Sequence, residues 1–268
     1  MHSSHTSGLR ESYDHLLVRR EGHVLEVTIN RPDVRNCLHP PANDELDEVF
    51  NAYFADEDLW VAILVGAGNK AFSSGADLAY LTSGRRLWLP ENGVAGLTRR
   101  RRLPKPVIAA VNGIAVGGGF EVVLACHLVV ADETAWFALP EVRVGRMAAA
   151  GGLARLPRCL PPKLAAELVL TGRRLGAVEA QAHGVVNRVV GPGLALQGAR
   201  ALAAEILEGS PVAVRASLAD LDELGGFADT AEAVAHRSPN FDEVKGSADA
   251  AEGVRAFLEK RRPRWQNR

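Results

Sequence analysis

Residues 105–127, KPVIAAVNGIAVGGGFEVVLACH, together with 136–145, WFALPEVRVG, and 148–157, AAAGGLARLP, decide how this chain is read. Val107–Val111 is a short apolar, β-branched run of the kind a buried strand needs. Asn112-Gly113 marks a turn. Three adjacent glycines, Gly117, Gly118 and Gly119, then precede an apolar segment holding one acid, Glu121. Adjacent glycines cost backbone entropy and contribute no packing, so they belong where a backbone must approach something closely. A helix starting at Phe120 would aim free N–H groups and the positive end of its dipole at that spot. In outline this is a site for an oxyanion.

Two carboxylates accompany it. Glu121 sits within Phe120–Cys126, and Glu141 follows Leu139-Pro140 with Val142 and Val144 beside it. A carboxylate among apolar residues is expensive unless it is used. Two of them next to an anion site suit proton transfer beside a developing enolate.

The order of these motifs closely resembles the crotonase superfamily, the enoyl-CoA hydratase/isomerase family, and in detail its carnitinyl-CoA dehydratase branch. The matching pieces are KPVIAAVNG, GGG-x-E, x-LPE-x-x-x-G and GG-x-x-RLP, with AFSSGADL at Ala71–Leu78 as the second signature. Asn30-Arg31-Pro32 upstream and Gly253…Phe257–Lys260 downstream extend the likeness over residues 13–268. The resemblance implies a crotonase-like ββα-superhelix core of the α/β class. It also implies a carboxy-terminal helical part that packs against neighbouring subunits in a homotrimer or dimer of trimers.

The same resemblance implies site roles. Ala76 and Gly118 would supply the two oxyanion N–H groups, and Glu121 and Glu141 would be catalytic. Asp77, Leu78, Ala79 and Gly117 would line the CoA thioester site with them. The implied reaction is reversible syn addition of water to a trans-2-enoyl-CoA. Carnitinyl-CoA dehydratase-like chemistry, another lyase or isomerase activity of the family, or acyl-CoA binding without turnover are the alternatives. No cofactor is expected beyond the coenzyme A of the substrate. Asp77 also reads as a helix N-cap, and the two readings are compatible. A serine nucleophile at Ser73 or Ser74 finds no histidine in a matching motif.

Length and composition bound the rest. The chain has 268 residues, 47% of them hydrophobic, and a formal net charge of −1. That describes one large domain, or one plus a helical appendage, with no charge excess to favour nucleic acid. Cys37, Cys126 and Cys159 are odd in number and widely spaced, which favours a reducing, cytoplasmic setting. The histidines form no ligand pair, so no metal is expected. No apolar run reaches the ~20 residues that span a bilayer. MHSSHTSGLRES lacks the apolar centre of a signal peptide and reads as a disordered leader over 1–12.

Residues 13–192 read as the α/β core and 193–268 as the helical trimerisation region. A hairpin is expected over Leu16–Asn30 with its turn at Glu21-Gly22. Asn43 is expected to cap a helix carrying Leu46, Val49, Phe50 and Tyr53. Trp60–Val65 should be the next strand. Arg99–Arg102 reads as a solvated helix face, with CoA phosphates as the alternative use. A helix over Lys163–Leu170 stopping at Gly172, a helix over Ala177–His183 and a strand over Val185–Val190 follow. Four helices close the chain: Leu194–Glu208, Val212–Leu224, Ala228–His236 and Asp249–Arg262, the last opened by an Asp249/Glu252 capping box.

One segment departs from the resemblance. Where the family's hydratases carry Pro-Gly or Pro-Asp, this chain has Arg146-Met147-Ala148-Ala149-Ala150. Losing proline frees the backbone, and alanine adds a Cβ near the expected water, which implies a reshaped pocket. Arg146 replaces an apolar residue there and bears on acyl selectivity.

Overall fold

The computed structural model describes residues 8–268. Residues 1–7 of the expected leader lie outside the described residues. From there on the chain lies on the core: Leu9 packs against it, and Arg10 Nε donates to Glu48 at 2.6 Å.

The elements run β1 Leu16–Glu21, β2 Val24–Ile29, α1 Pro40–Ala55, β3 Val61–Gly66, β4 Ala71–Ser73 and α2 Leu78–Leu81. Next come β5 Val107–Val111, β6 Ile114–Val116, α3 Gly118–Ala125, β7 Leu128–Asp132 and β8 Trp136–Ala138. α4 Gly152–Cys159, α5 Pro162–Thr171, β9 Leu175–Gly176, α6 Ala177–Ala182 and β10 Arg188–Val190 complete the mixed part. The chain ends in α7 Ala195–Leu207, α8 Pro211–Leu224, α9 Thr230–Ala235, α10 Pro239–Gly246 and α11 Ala248–Leu258.

A six-stranded sheet has the order β1-β2-β3-β5-β7-β10, and a four-stranded sheet has the order β4-β6-β8-β9. Only the β1–β2 and β8–β9 pairs are antiparallel. The central strands β3 and β5 are buried on both faces and so read as continuous apolar runs, whereas β1 and β10 at the edges are more open. Ala62 and Leu64 of β3 face the main core, whereas Val61, Ile63 and Val65 meet Ala195, Ala199 and Ala203 of α7. Period-two alternation thus places one strand in two cores. Helix α7 therefore covers the sheet, while α10 contacts α8 and α11.

What positions the site is repetition. Three times a strand of the large sheet feeds a short strand of the small one: β3 to β4, β5 to β6, β7 to β8. Because β4, β6 and β8 lie parallel and adjacent, the residues following them gather at one edge. Those residues include Ala76, Gly118 and Glu141.

Several local expectations need correction. Helix α1 starts at Pro40, capped by His39, whose ring accepts from Ala42 N–H. Pro40-Pro41 preset the first-turn dihedrals, and Asn43 is spent elsewhere, its Oδ1 accepting from Ala95 N–H at 2.9 Å. Helix α3 starts two residues earlier than Phe120, at Gly118. Arg99–Arg102 form no helix. Arg100 instead lies over the Phe54 ring and donates to Asn51, and Arg102 pairs with Glu223. Ser247 caps α11 in place of Asp249, which is buried and accepts from Ser210 Oγ and Gln266 N–H. Glu252 accepts from Arg261.

Candidate active site

A cavity of about 580 Å³ opens at the edge where the three repeats converge. Ala76, Asp77, Gly118, Glu121 and Glu141 all line it, joined by Ala149 and Ala150. Its outer wall is apolar, with Leu87, Trp88, Leu89 and Met147 partly open to solvent.

Two loops build its floor. Gly75 adopts φ +83°, and a Cβ there would lie 2.5 Å from Val116 O and 2.9 Å from Gly118 N. Only glycine permits that approach. Leu38 N–H donates to Gly75 O and Asp77 N–H donates to Leu38 O, which leaves the Ala76 N–H between them unused. Gly118 is the first residue of α3, so its N–H has no carbonyl one turn back. Neither N–H has a hydrogen-bond acceptor among the described residues. A Cβ built on Gly118 would lie 3.8 Å from Ala76 N, which sets the two residues side by side.

Glu121 is on the first turn of α3 and only 3% exposed. Its Oε1 accepts from Gly152 N–H at 2.8 Å, and the nearby Ala150 N–H favours the charged form of the carboxylate. A Cβ on Gly152 would stand 3.1 Å from that oxygen, so glycine gives the carboxylate its donor. Glu141 opens a single 3-10 turn after β8. Its Oε2 is buried and has no partner among the described residues. Gly117, at φ +55°, lets Glu141 in: a Cβ there would lie 3.0 Å from Oε1.

Burial pushes both carboxyl groups above the ordinary carboxylate range. At Glu121 the Gly152 N–H opposes that rise and the nearby charge of Glu141 adds to it. A buried oxygen without a donor on Glu141 favours a bound proton or an external donor such as water.

Asp77 caps α2 by accepting from Tyr80 N–H at 2.9 Å and also accepts from Arg31 at 3.0 Å. Its carboxyl lies below the usual range; burial opposes this shift, but the Tyr80 N–H and Arg31 outweigh it. Leu78, Ala79 and Gly117 are not among the cavity-lining residues; Leu78 and Ala79 face solvent on α2, and Gly117 contributes by making room for Glu141. Of the departing segment, Ala148 is buried while Ala149 and Ala150 line the cavity.

Some contributors carried no readable signal. His39 lines the cavity and is held neutral, its pKa lowered to about 4 by burial and then by the Arg31 charge. Trp88 joins the wall through Nε1 donating to Asp44 at 2.7 Å. Arg155, within the quoted GGLARLP motif, donates to Thr98 O at 2.9 Å and so ties α4 to the wall. Among the described residues, no three His, Cys, Asp or Glu side chains are grouped as a metal site requires.

The comparisons with known proteins agree with this geometry. The family model described as enoyl-CoA hydratase/isomerase matches residues 19–268. A carnitinyl-CoA dehydratase of Escherichia coli (strain SMS-3-5 / SECEC) is 43% identical over 262 residues, covering 94% of this chain and 98% of that protein. One from Salmonella heidelberg is 40% identical over the same shares. The crystal structure of enoyl-CoA hydratase from Mycobacterium tuberculosis H37Rv superposes with a TM-score of 0.88 at 39% identity, over 96% of this chain and all of that one. A probable enoyl-CoA hydratase/isomerase from Mycobacterium abscessus gives 0.88 at 42%, with the same coverage. The chain belongs to the enoyl-CoA hydratase/isomerase family, the crotonase superfamily, on its carnitinyl-CoA dehydratase side.

Proposed function

We propose that the protein is an enoyl-CoA hydratase, adding water reversibly and syn across the double bond of trans-2-enoyl-CoA thioesters. The observation that carries this is the meeting of two unused N–H groups, on Ala76 and Gly118, with two buried carboxyls in one cavity. The thioester oxygen would sit about 3 Å from both donors and gain charge as the enolate forms. Glu121, held by the Gly152 N–H, is suited to remain a carboxylate and take a proton from water as its oxygen attacks Cβ. Glu141, whose Oε2 has no donor among the described residues, is suited to carry the proton delivered to Cα. Exchange with solvent returns the pair to its starting protonation. Nothing in this scheme requires a cofactor besides the coenzyme A of the substrate.

Hydration of crotonyl-CoA, followed by loss of the conjugated thioester absorbance, tests the reading. Turnover supports it. Tight binding of CoA esters without turnover at any chain length would instead make the protein an acyl-CoA-binding member. Carnitinyl-CoA dehydration is the second reading, favoured by the 43% identity to a protein of that name.

The same proposal covers assembly and setting. α8–α11 leave Leu221, Val234, Phe241, Val254, Phe257 and Leu258 between 64% and 83% exposed, an apolar surface that subunit packing would cover. A homotrimer or dimer of trimers in the cytoplasm fits it, and analytical ultracentrifugation tests it, a concentration-independent monomer being the contrary result. No helix among the described residues is long and apolar enough to cross a membrane.

A further inference from the structure

The cavity wall holds two arginines that the hydration chemistry does not use. Arg99 and Arg146 both line it, and neither has a carboxylate within ion-pair distance among the described residues. Of the acids that line the cavity, Asp77 and Glu121 are otherwise engaged, and Glu141 forms no ion pair with either arginine among the described residues. Asp77 is paired with Arg31, and Glu121 is held by the Gly152 N–H. Asp44 at the rim accepts from Trp88.

Both arginines are exposed side chains on a fixed backbone. Arg146 N–H donates to Glu141 O at 2.9 Å, which fixes its backbone five residues beyond that glutamate. Arg99 N–H donates to Asn92 O at 2.9 Å, and the carbonyl just before it is held by Arg155. Gly93 lies against the Arg99 stem: a Cβ there would approach Arg99 Cγ to 2.8 Å. Arg146 is thus joined to the Glu141 turn, and Arg99 through Arg155 to α4, whose Gly152 N–H holds Glu121.

That placement has a chemical meaning. With the thioester oxygen at Ala76 and Gly118, Cα and Cβ lie at the glutamates, and the acyl tail continues past them. A guanidinium on the solvent-exposed wall of a cavity is a fork for a carboxylate and repels a cation. We propose, resting on the enoyl-CoA reading, that Arg99 and Arg146 form a subsite for an acyl tail ending in a carboxylate, so that the preferred substrates are CoA monothioesters of enedioic acids. A quaternary ammonium tail, such as a carnitinyl thioester retains, is disfavoured by the same two charges.

The test compares kcat/KM for the CoA monothioester of trans-2-hexenedioic acid with that for trans-2-hexenoyl-CoA, with crotonobetainyl-CoA as a third substrate. Both six-carbon esters carry the same coenzyme A, so any contact of the arginines with CoA phosphates cancels in the ratio. At least a tenfold preference for the carboxylate tail is expected, with crotonobetainyl-CoA the poorest. In Arg146→Gln and Arg99→Gln the ratio should fall toward one, further in the double variant. Because the ratio is read within each variant, a general loss of activity does not mimic the result. Calorimetric binding of adipoyl-CoA against hexanoyl-CoA gives the same comparison without catalysis. If no enoyl-CoA is hydrated but adipoyl-CoA still binds better, the hydratase reading fails and the subsite stands. Equal or weaker affinity for the carboxylate tail, or a ratio untouched by both substitutions, overturns the subsite.

Discussion

The floor and the wall of the cavity are made in opposite ways. The floor is backbone: Ala76 and Gly118 present N–H groups from loops that follow paired parallel strands, and Gly75, Gly117 and Gly152 make room that any Cβ would fill. The wall is side chain. Leu87, Trp88, Leu89, Arg99, Arg146 and Met147 come from irregular segments and stay partly open to solvent. A floor of this kind can hold one reaction on many acyl groups, because the donors do not depend on side-chain identity. Selection among substrates then falls to the wall. The contrast predicts that floor substitutions lower kcat, and wall substitutions move KM or the ratio between substrates.

The largest break should come at the glutamates. Glu141→Gln keeps size and shape yet should slow turnover by about 10²–10⁴, with CoA-ester binding retained, as read by single-turnover kinetics. Gly118→Pro should come next. The first helical position accepts proline, so α3 should persist in circular dichroism while one oxyanion donor is lost. That should cost about 3 kcal/mol in the barrier, a loss of roughly two orders of magnitude in kcat. Trp88→Ala should do the reverse of both: a KM increase of about tenfold from lost apolar contact, with kcat little changed. A Trp88 variant that lost kcat as a floor variant does would erase the distinction.

The smallest effect concerns stability. Burial raises the Glu141 carboxyl above its unfolded value, so folding favours the protonated form. That contribution is full below the ordinary carboxylate range and is lost as pH rises through the raised value. At neutral pH, therefore, Glu141→Gln should melt above the wild type, and the gap should close as pH falls through the carboxylate range. Glu121→Gln should gain less, since a neutral amide oxygen is a weaker acceptor for the Gly152 N–H than a carboxylate.

The same contrast governs what the sequence made legible. The floor could be read because its signals are local: a β-branched run, a glycine triplet, then a lone acid in apolar company. The wall could not, because its contacts join distant positions through irregular chain. Arg31 meets Asp77 46 residues away, and Arg155 reaches Thr98 57 residues away. Asn43 looked like a cap from its neighbours, but Ala95, 52 residues on, claims its oxygen. Asp249 was likewise taken by Ser210 and Gln266, leaving the cap to Ser247. Helix α10 went unread, its eight residues being mostly polar and exposed.

The central claim is that Glu121 and Glu141 serve one water as a unit, and a double-mutant cycle reads it directly. Single-turnover hydration of crotonyl-CoA is measured for the wild type, Glu121→Gln, Glu141→Gln and the double variant, with melting temperatures taken on the same samples. If the pair shares one water, each single change slows the step by about 10²–10⁴, and the double variant is far less damaged than the product of the singles. Glu141→Gln turning over at the wild-type rate, or two losses that multiply cleanly, would contradict the shared-water account.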